Sequence, residues 1–431
     1  MAGASIDKLT VVGGGSSYTP EFVDGFIQNE SVVRLSELAL YDIHEERLQV
    51  VGGMVQRMLR HAELDTRLTL TTRRPEALEG AQFVVSSLRV GMMEARIADE
   101  KIPLKHGVIG QETTGPGGTL KAWRTIPVTL DIARDLERVS PQAWYLNFTN
   151  PSGIITEALL RHTPLKAVGL CNTPINMQAG LAALLGIDEG ALFLEWVGLN
   201  HVNWVRRVWA GGVDRTGDLM DRLEQIGPHP EFPAFDPELV RALGVFPTYY
   251  LQYYYDHPRK LAEAMAAARS RGEVVHEVEQ ELFATYADPQ QVGKPPALSQ
   301  RGGARYSEAA LRLILSLLLD RRDVQILVTR NDGSLPDLPP EASVEVPCVV
   351  GAHGVTPLHM GPLPETIRPL CQQVKAWESW TVRAGVTGDR RAALMAMLTN
   401  PLVPSYEVAR ALLDEMLEAN RAHLPQFFTA P

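Results

Sequence analysis

The 431-residue sequence predicts an α/β fold: a Rossmann-like, doubly wound, mostly parallel sheet joined to a second, helix-rich α+β lobe. Three observations predict it. Apolar, β-branched runs at residues 8–12, 38–41, 83–86, 144–147 and 167–170 read as strands buried on both faces. Helix-length segments such as 21–28, 46–59 and 120–138 separate them, the alternation that builds a parallel sheet covered by helices. After about residue 200 helical patterns dominate, at 258–267, 274–283, 307–318, 365–384, 390–398 and 406–422. Two further strand candidates, 325–329 and 344–350, sit among them, linked by a turn-rich stretch containing Asn331-Asp332-Gly333. The expected division is therefore residues 1–200, binding a dinucleotide, and 201–431, binding substrate, with a shared core and a cleft between.

Composition narrows the function. Hydrophobic residues make up 45% and charged residues 21%, which leaves no room for extensive disorder. The net charge of −10 and the absence of any Lys/Arg run argue against a nucleic-acid partner, though not against a small local anion site. Residues 1–8 are polar and lack the apolar core of a signal peptide. The longest apolar stretch, 309–319, is interrupted by Arg312 and falls short of the roughly 20 residues that cross a bilayer. Cys171, Cys348 and Cys371 are far apart and odd in number, as in a protein of a reducing compartment. The expectation is a cytoplasmic enzyme with no membrane partner.

The first strand runs into Gly13-Gly14-Gly15-Ser16-Ser17-Tyr18, with a helix following Pro20. Gly13 and Gly15 supply the first two glycines of a G-x-G-x-x-G fingerprint, whose purpose is to bring backbone and helix N-terminus up to a pyrophosphate. Tyr18 stands where the third glycine would be. Asp42 ends the second strand, where a carboxylate accepts from ribose hydroxyls and disfavours a 2′-phosphate. Gly13, Gly15, Ser16, Ser17 and Asp42 are thus the expected contacts of NAD rather than NADP.

Asn147-Phe148-Thr149-Asn150-Pro151-Ser152-Gly153 follows a strand and resembles the Asn-Pro turn of lactate and malate dehydrogenases. A 2-hydroxyacid dehydrogenase would also need a His paired with a carboxylate. The next strand end instead reads Gly169-Leu170-Cys171-Asn172-Thr173-Pro174, and thirty residues past Cys171 comes Gly198-Leu199-Asn200-His201. A Cys and a His at neighbouring strand ends could hold a divalent cation and leave positions open for substrate. A buried Cys is more often a small apolar side chain, so on the residues alone both readings stand.

Several blocks recur in order along the chain: residues 11–20, Ile109-Gly110-Gln111-Glu112-Thr113-Thr114-Gly115, 147–153, 169–176, 198–202, 247–254, Arg301-Gly302-Gly303 with Tyr306-Ser307, and 331–346. On these the chain resembles glycoside hydrolase family four, NAD- and manganese-dependent glycosidases that depart from hydrolysis by two carboxylates. The resemblance implies oxidation of the sugar at C3, removal of the C2 proton, elimination of the aglycone from C1, addition of water and return of the hydride. It makes Cys171 and His201 the ligands of Mn²⁺ or another divalent cation, and Tyr250 the base, with Tyr249 its competitor. Glu112 matches a position that tunes that base, and Arg96 and Asn150 match substrate contacts. Arg271 is the candidate for a 6-phosphate, with Arg301 the alternative. Asn172 follows the metal Cys where the 6-phospho-α-glucosidase branch resembles Cys-Asp; Cys-Asn-x-Pro resembles the 6-phospho-β-glucosidase branch. An amide cannot protonate a leaving group, so no general acid is assigned. The implied substrate is a phosphorylated disaccharide or aryl glucoside, and the implied assembly a homodimer or homotetramer. The competing readings are a 6-phospho-α-glucosidase or another glycosidase of that family, a 2-hydroxyacid dehydrogenase that would release reduced cofactor, and an NAD-sensing module that would tolerate loss of Tyr250.

Overall fold

The strand β1 (Ala4–Val12) alternates buried and exposed residues at its start and is wholly buried from Lys8 onward, the pattern of a strand that dives beneath helices on both faces. In the computed structural model, which describes residues 4–226, 235–301 and 305–428 (residues 299–301 by backbone alone), it lies inside a nine-stranded sheet. The other strands of its first half are β2 (Val33–Tyr41), β3 (Arg67–Thr71), β4 (Phe83–Ser86), β5 (Trp144–Asn147) and β6 (Lys166–Gly169). These six run parallel in the order β3-β2-β1-β4-β5-β6, that of a doubly wound dinucleotide fold. The sequence reading placed five of them and passed over β3, whose residues are exposed or only half-buried and so lack an apolar run.

The remaining strands are β7 (Leu192–Leu199), β8 (Val202–Ala210), β9 (Val213–Asp214), β10 (Phe246–Pro247), β11 (Asp323–Arg330), β12 (Ser343–Gly351) and β13 (Gly354–Pro357). β7 to β10 form a small antiparallel sheet, and Asn200-His201 make the turn of its β7–β8 hairpin. β11 and β12 are the two strand candidates of the second half, yet they join the first half's sheet: β11 pairs antiparallel with β6, and β12 and β13 continue the edge. Sequence pattern could not foresee this, because strand propensity does not record which sheet a strand enters. The expected helices all form, as Thr19–Gln28, Glu45–His61 and Gly115–Val139 in the first half and from His257–Ala266 to Tyr406–Ala419 in the second.

One hydrophobic cluster runs from Leu9 and Leu40 through Trp196 and Trp204 to Leu412 and Phe427, so both halves share a core. A buried ion pair ties the helices that border the cleft to the C-terminal region. Asp99, on Met92–Lys105, receives a two-pronged contact from Arg124 on Gly115–Val139 at 2.7 and 2.8 Å, and Asn420 accepts from the same guanidinium at 2.9 Å. Asp99 is 0% and Arg124 1% exposed, so removing one partner strands the other without water. Arg124→Ala is expected to lower stability by roughly 3–5 kcal/mol, read as a lower urea midpoint at unchanged m-value.

Candidate active site

A cleft of about 1450 Å³ opens at the C-terminal edge of the parallel strands, between the ends of β1 and β4 where the strand order reverses. Gly13 has φ +85°, and a Cβ there would lie 2.4 Å from the Ser87 carbonyl oxygen; a Cβ on Gly15 would lie 2.9 Å from Asp42. Only glycines let the turn sit this close to its neighbours. Their amides are already engaged: Gly13 and Gly14 donate to the Tyr41 carbonyl at 2.9 and 2.8 Å, and Gly15 donates to Asp42 Oδ2 at 2.9 Å. These glycines can therefore admit a ligand by their missing side chains rather than by donating to it. Asp42 also accepts from the His44 amide at 3.0 Å, but two carboxylate oxygens retain lone pairs for further donors.

Gly13, Gly15, Ser16 and Asp42 line the cleft; the Ser17 side chain does not. Ser17 is fully buried, and its hydroxyl donates to Glu279 at 3.0 Å on the helix Arg271–Ala287. Tyr18, in the third-glycine position, packs edge-on against Tyr306 at 5.6 Å, which in turn meets Phe148 at 4.9 Å. The contact that a small residue would make with its own unit is replaced here by an aromatic one reaching into the second half.

Three segments meet beside Tyr250, which lines the cleft; Cys171 and His201 are buried next to it and are not among the lining residues. Cys171 follows β6, His201 turns the β7–β8 hairpin with φ +67°, and Tyr250 lies in the short turn Tyr249–Leu251 after β10. Cys171 Sγ and His201 Nε2 are 3.9 Å apart, and the Tyr250 ring stacks on the imidazole at 4.0 Å. The two candidate ligands thus come from two different sheets, not from neighbouring ends of one. Burial pushes the Cys171 thiol up to about 11, and burial, then Lys121, pushes His201 down to about 3. The imidazole is therefore neutral with a lone pair to offer. Burial, with Cys171 and Tyr253 adding, holds the Tyr250 phenol well above its ordinary value. Tyr249 is more exposed, at 39%, and sits edge-on to Tyr250.

Glu112 stands beside them within an unbalanced charge cluster. It meets Arg89 at 2.5 Å, Lys121 at 2.9 Å and Arg96 at 3.3 Å, three cations of which, among the described residues, only Arg96 has a second carboxylate, Glu100. Burial alone would raise its pKa; Arg89, then Lys121 and Arg96, overcome that and hold it well below the carboxylate range. Lys121 is pushed down to about 7 by burial, then by Arg89. Arg96 also pairs with Glu100 at 3.0 Å. Asn150, Asn172 and Arg271 line the same cleft, and Asn150 accepts from the Ser152 amide at 3.3 Å. The Arg301 side chain lies outside the described residues.

Sequence reasoning missed Arg89, Lys121 and Glu345. Lys121 was hidden in a helix that reads as ordinary, although a Lys flanked by Leu120 and Trp123, themselves buried, hints at an inward charge. Glu345, 1% exposed within an otherwise apolar strand, gave a similar signal.

The donor chemistry fits a divalent cation and a dinucleotide. Thiolate and imidazole bonds of about 2.3 and 2.1 Å would let one cation touch both Cys171 and His201 across their 3.9 Å separation. Among the described residues no group of three or more His, Cys, Asp or Glu gathers to hold a metal, so the protein would supply two ligands and leave the rest to substrate. The glycine cradle and the Asp42 carboxylate fit a dinucleotide at the other end of the cleft.

Comparison with known proteins agrees with this geometry. Residues 8–187 match the model of the Family 4 glycosyl hydrolases, and residues 196–403 that of the Family 4 glycosyl hydrolase C-terminal domain. A "Probable 6-phospho-beta-glucosidase" of Bacillus subtilis (strain 168) is 45% identical, covering 98% of both chains. The 6-phospho-beta glucosidase of Thermotoga maritima, solved with NAD and glucose-6-phosphate, superposes with TM-score 0.90 at 35% identity, covering 97% of this chain and 99% of the other. The same enzyme with manganese, NAD⁺ and glucose-6-phosphate gives TM-score 0.88 at 34% identity, over 96% of this chain and 99% of that one. A 6-phospho-alpha-glucosidase of Leptotrichia buccalis is 30% identical over 97% of this chain and 98% of its own. From its glycine cradle to its second-half strands, this chain belongs to family 4 of the glycosyl hydrolases.

Proposed function

We propose that the chain hydrolyses 6-phospho-β-glucosides, either phosphorylated disaccharides or aryl glucosides, using NAD and a divalent cation such as Mn²⁺. The observation that carries this is His201, 3.9 Å from Cys171 and stacked at 4.0 Å on Tyr250, which lines the cleft that also holds the glycine cradle. The higher identity to the β-specific relative, 45% against 30%, and the amide at Asn172 support the β anomer. Two further features disfavour a 2-hydroxyacid dehydrogenase: His201 faces a thiol and a phenol rather than a carboxylate, and a tyrosine base has no part in that reaction. We further infer a cytoplasmic homodimer or homotetramer of two units divided near residue 200. The break between the two family models at 187 and 196 supports the division. Three unpaired cysteines support a reducing compartment, and no described helix is long and apolar enough to cross a membrane. The helix His257–Ala266, which buries none of its side chains, supports assembly.

When bound, a nicotinamide supplies a reversible hydride acceptor for C3, and a divalent cation supplies positive charge for the oxygens on C2 and C3. The protein does the rest. Cys171 and His201 would hold the cation, and Gly13, Gly15, Ser16 and Asp42 would border the dinucleotide. Once C3 is a ketone the C2 hydrogen is acidic, and Tyr250 removes it. Electrons from that C–H bond form the C1–C2 double bond as the aglycone departs from C1. Water then adds at C1 and a proton returns to C2, after which C3 is reduced. A phenol held high by burial needs cations to become a base, and Arg96, Lys121 and Tyr250 line the same cleft. Glu112 restrains Arg89, Arg96 and Lys121, setting how much of their charge Tyr250 feels. Asn150 and Arg96 face the sugar, and the Arg271 guanidinium, suited to a two-pronged grip on phosphate oxygens, takes the 6-phosphate.

Nitrophenol release from the β anomer of nitrophenyl 6-phosphoglucoside should exceed that from the α anomer by at least about tenfold. It should vanish on removal of NAD or addition of a chelator; turnover that survives both treatments overturns the mechanism.

Arg271→Ala should raise KM for the phosphorylated substrate by roughly 10- to 100-fold, the loss of a charge-assisted hydrogen bond, with NAD affinity unchanged. An unaltered KM moves the phosphate to another cation.

Tyr250→Phe should lower kcat by roughly 10²–10⁴, since the ring is kept and the base is lost. Substrate deuterated at C2 should exchange its label in wild type and keep it in this variant. Some reduced nicotinamide should still form, because oxidation at C3 does not use the phenol. Tyr249→Phe is the control, expected to turn over nearly normally; the opposite pattern assigns the base to Tyr249.

A further inference from the structure

Glu345 lies on β12, 1% exposed, and no ion pair to it exists among the described residues. A carboxylate out of water without a cation needs several donors to be tolerated. It finds them on the β7–β8 hairpin: Trp196 Nε1 donates at 3.0 Å, Asn200 Nδ2 at 2.9 Å, and Asn203 Nδ2 donates as well. Two of these donors lead onward to the catalytic groups. Asn200 directly precedes His201 in the hairpin turn and accepts from the Gly153 amide at 3.2 Å. Asn203 accepts from the Thr248 hydroxyl at 2.5 Å on its side chain and at 3.0 Å on its carbonyl, and Thr248 lies two residues before Tyr250.

The network has a direction that only a carboxylate satisfies. Each asparagine already uses its side-chain oxygen to accept, Asn200 from Gly153 and Asn203 from Thr248. Neither can flip to offer that oxygen to a new donor without breaking the arm that reaches the site. Two accepting oxygens answer all three N–H donors even though burial pushes the Glu345 carboxyl up to about 7, whereas an amide would turn an NH₂ against one of them.

We propose that Glu345 is the positioning residue of the active site, fixing the Cys171–His201 ligand pair through Asn200 and the Tyr250 base through Asn203 and Thr248. This rests on the proposed roles of those three residues, and the two arms can be separated by experiment. Replacing the outer partners of a metal site typically costs roughly 10- to 100-fold in affinity or activity. Cobalt(II) titration of the full chain, followed by the thiolate-to-cobalt absorption, reads cation affinity without turnover, and NAD affinity is measured alongside.

Glu345→Gln should weaken cobalt binding by about 10- to 100-fold, lower kcat even at saturating cation, and leave NAD affinity within about twofold. Thr248→Val keeps the shape of the side chain but removes the donor of the base arm. It should lower kcat by roughly tenfold or more with cobalt affinity unchanged, a split that general loosening of the fold would not produce. If Glu345→Gln matches wild type in cobalt affinity and saturated kcat, the proposal is overturned. The base arm falls if Thr248→Val turns over normally, and this variant decides that arm even if Glu345→Gln fails to fold. Should wild type itself show no thiolate-to-cobalt band, the cation role of Cys171 fails instead, and with it the reading on which this proposal rests.

Discussion

The seam between β6 and β11 is the constraint on which the rest depends. The two strands meet through a single aligned pair, Gly169 against Val328, with the helix Ser152–His162 pressed over them. A Cβ on Gly169 would lie 2.3 Å from the Thr156 hydroxyl, 2.8 Å from the Val328 Cβ and 2.9 Å from the Ser152 hydroxyl. Only the absence of a side chain lets strand, strand and helix close together here. That closure adds the second half's strands to the first half's sheet and sets Cys171, two residues beyond Gly169, beside Asn172 and Thr173, which line the cleft. It also carries β12 across to β7, so that Glu345 reaches the hairpin bearing His201.

Charge is organised around the same cleft with a purpose that bulk composition hides. The chain carries a net −10, yet Arg89, Arg96 and Lys121 converge on one carboxylate, and Arg271 lines the same space. The local surplus of three cations over Glu112 and Glu100 favours an anion there even though the chain as a whole is negative. The same surplus bears on proton chemistry. Arginines stay protonated, so Lys121, pushed down to about 7, is the member of the cluster whose charge is least firmly held. Glu112, held well below the carboxylate range, keeps its negative charge throughout and so keeps the three cations together.

The dinucleotide end shows how a fingerprint can be present while its parts work differently. Close packing, not donation to a ligand, explains why Gly13 and Gly15 are glycines, since their amides are spent on Tyr41 and Asp42. Ser17 turns inward to Glu279, and Tyr18 replaces a small residue by packing on Tyr306. Glu279 also meets Arg47 at 3.2 Å, so this turn is braced from the second half. Its shape therefore depends on residues more than two hundred positions away.

Local sequence determined the parallel sheet, the glycine turn, Asp42 and most helices, because alternation of apolar runs and turn residues is a property of neighbouring positions. The strand ends offered Cys171 and His201 as a possible cation pair, the family pattern chose that reading, and it alone added Tyr250 and Glu112. Only the tertiary structure decided that the candidate cation ligands come from two sheets, that β11 and β12 extend the first sheet, and that Lys121, Arg89 and Glu345 face inward. The reason is physical. A buried charge is tolerable only where partners from distant segments surround it, and a sequence lists those partners without saying which of them will meet.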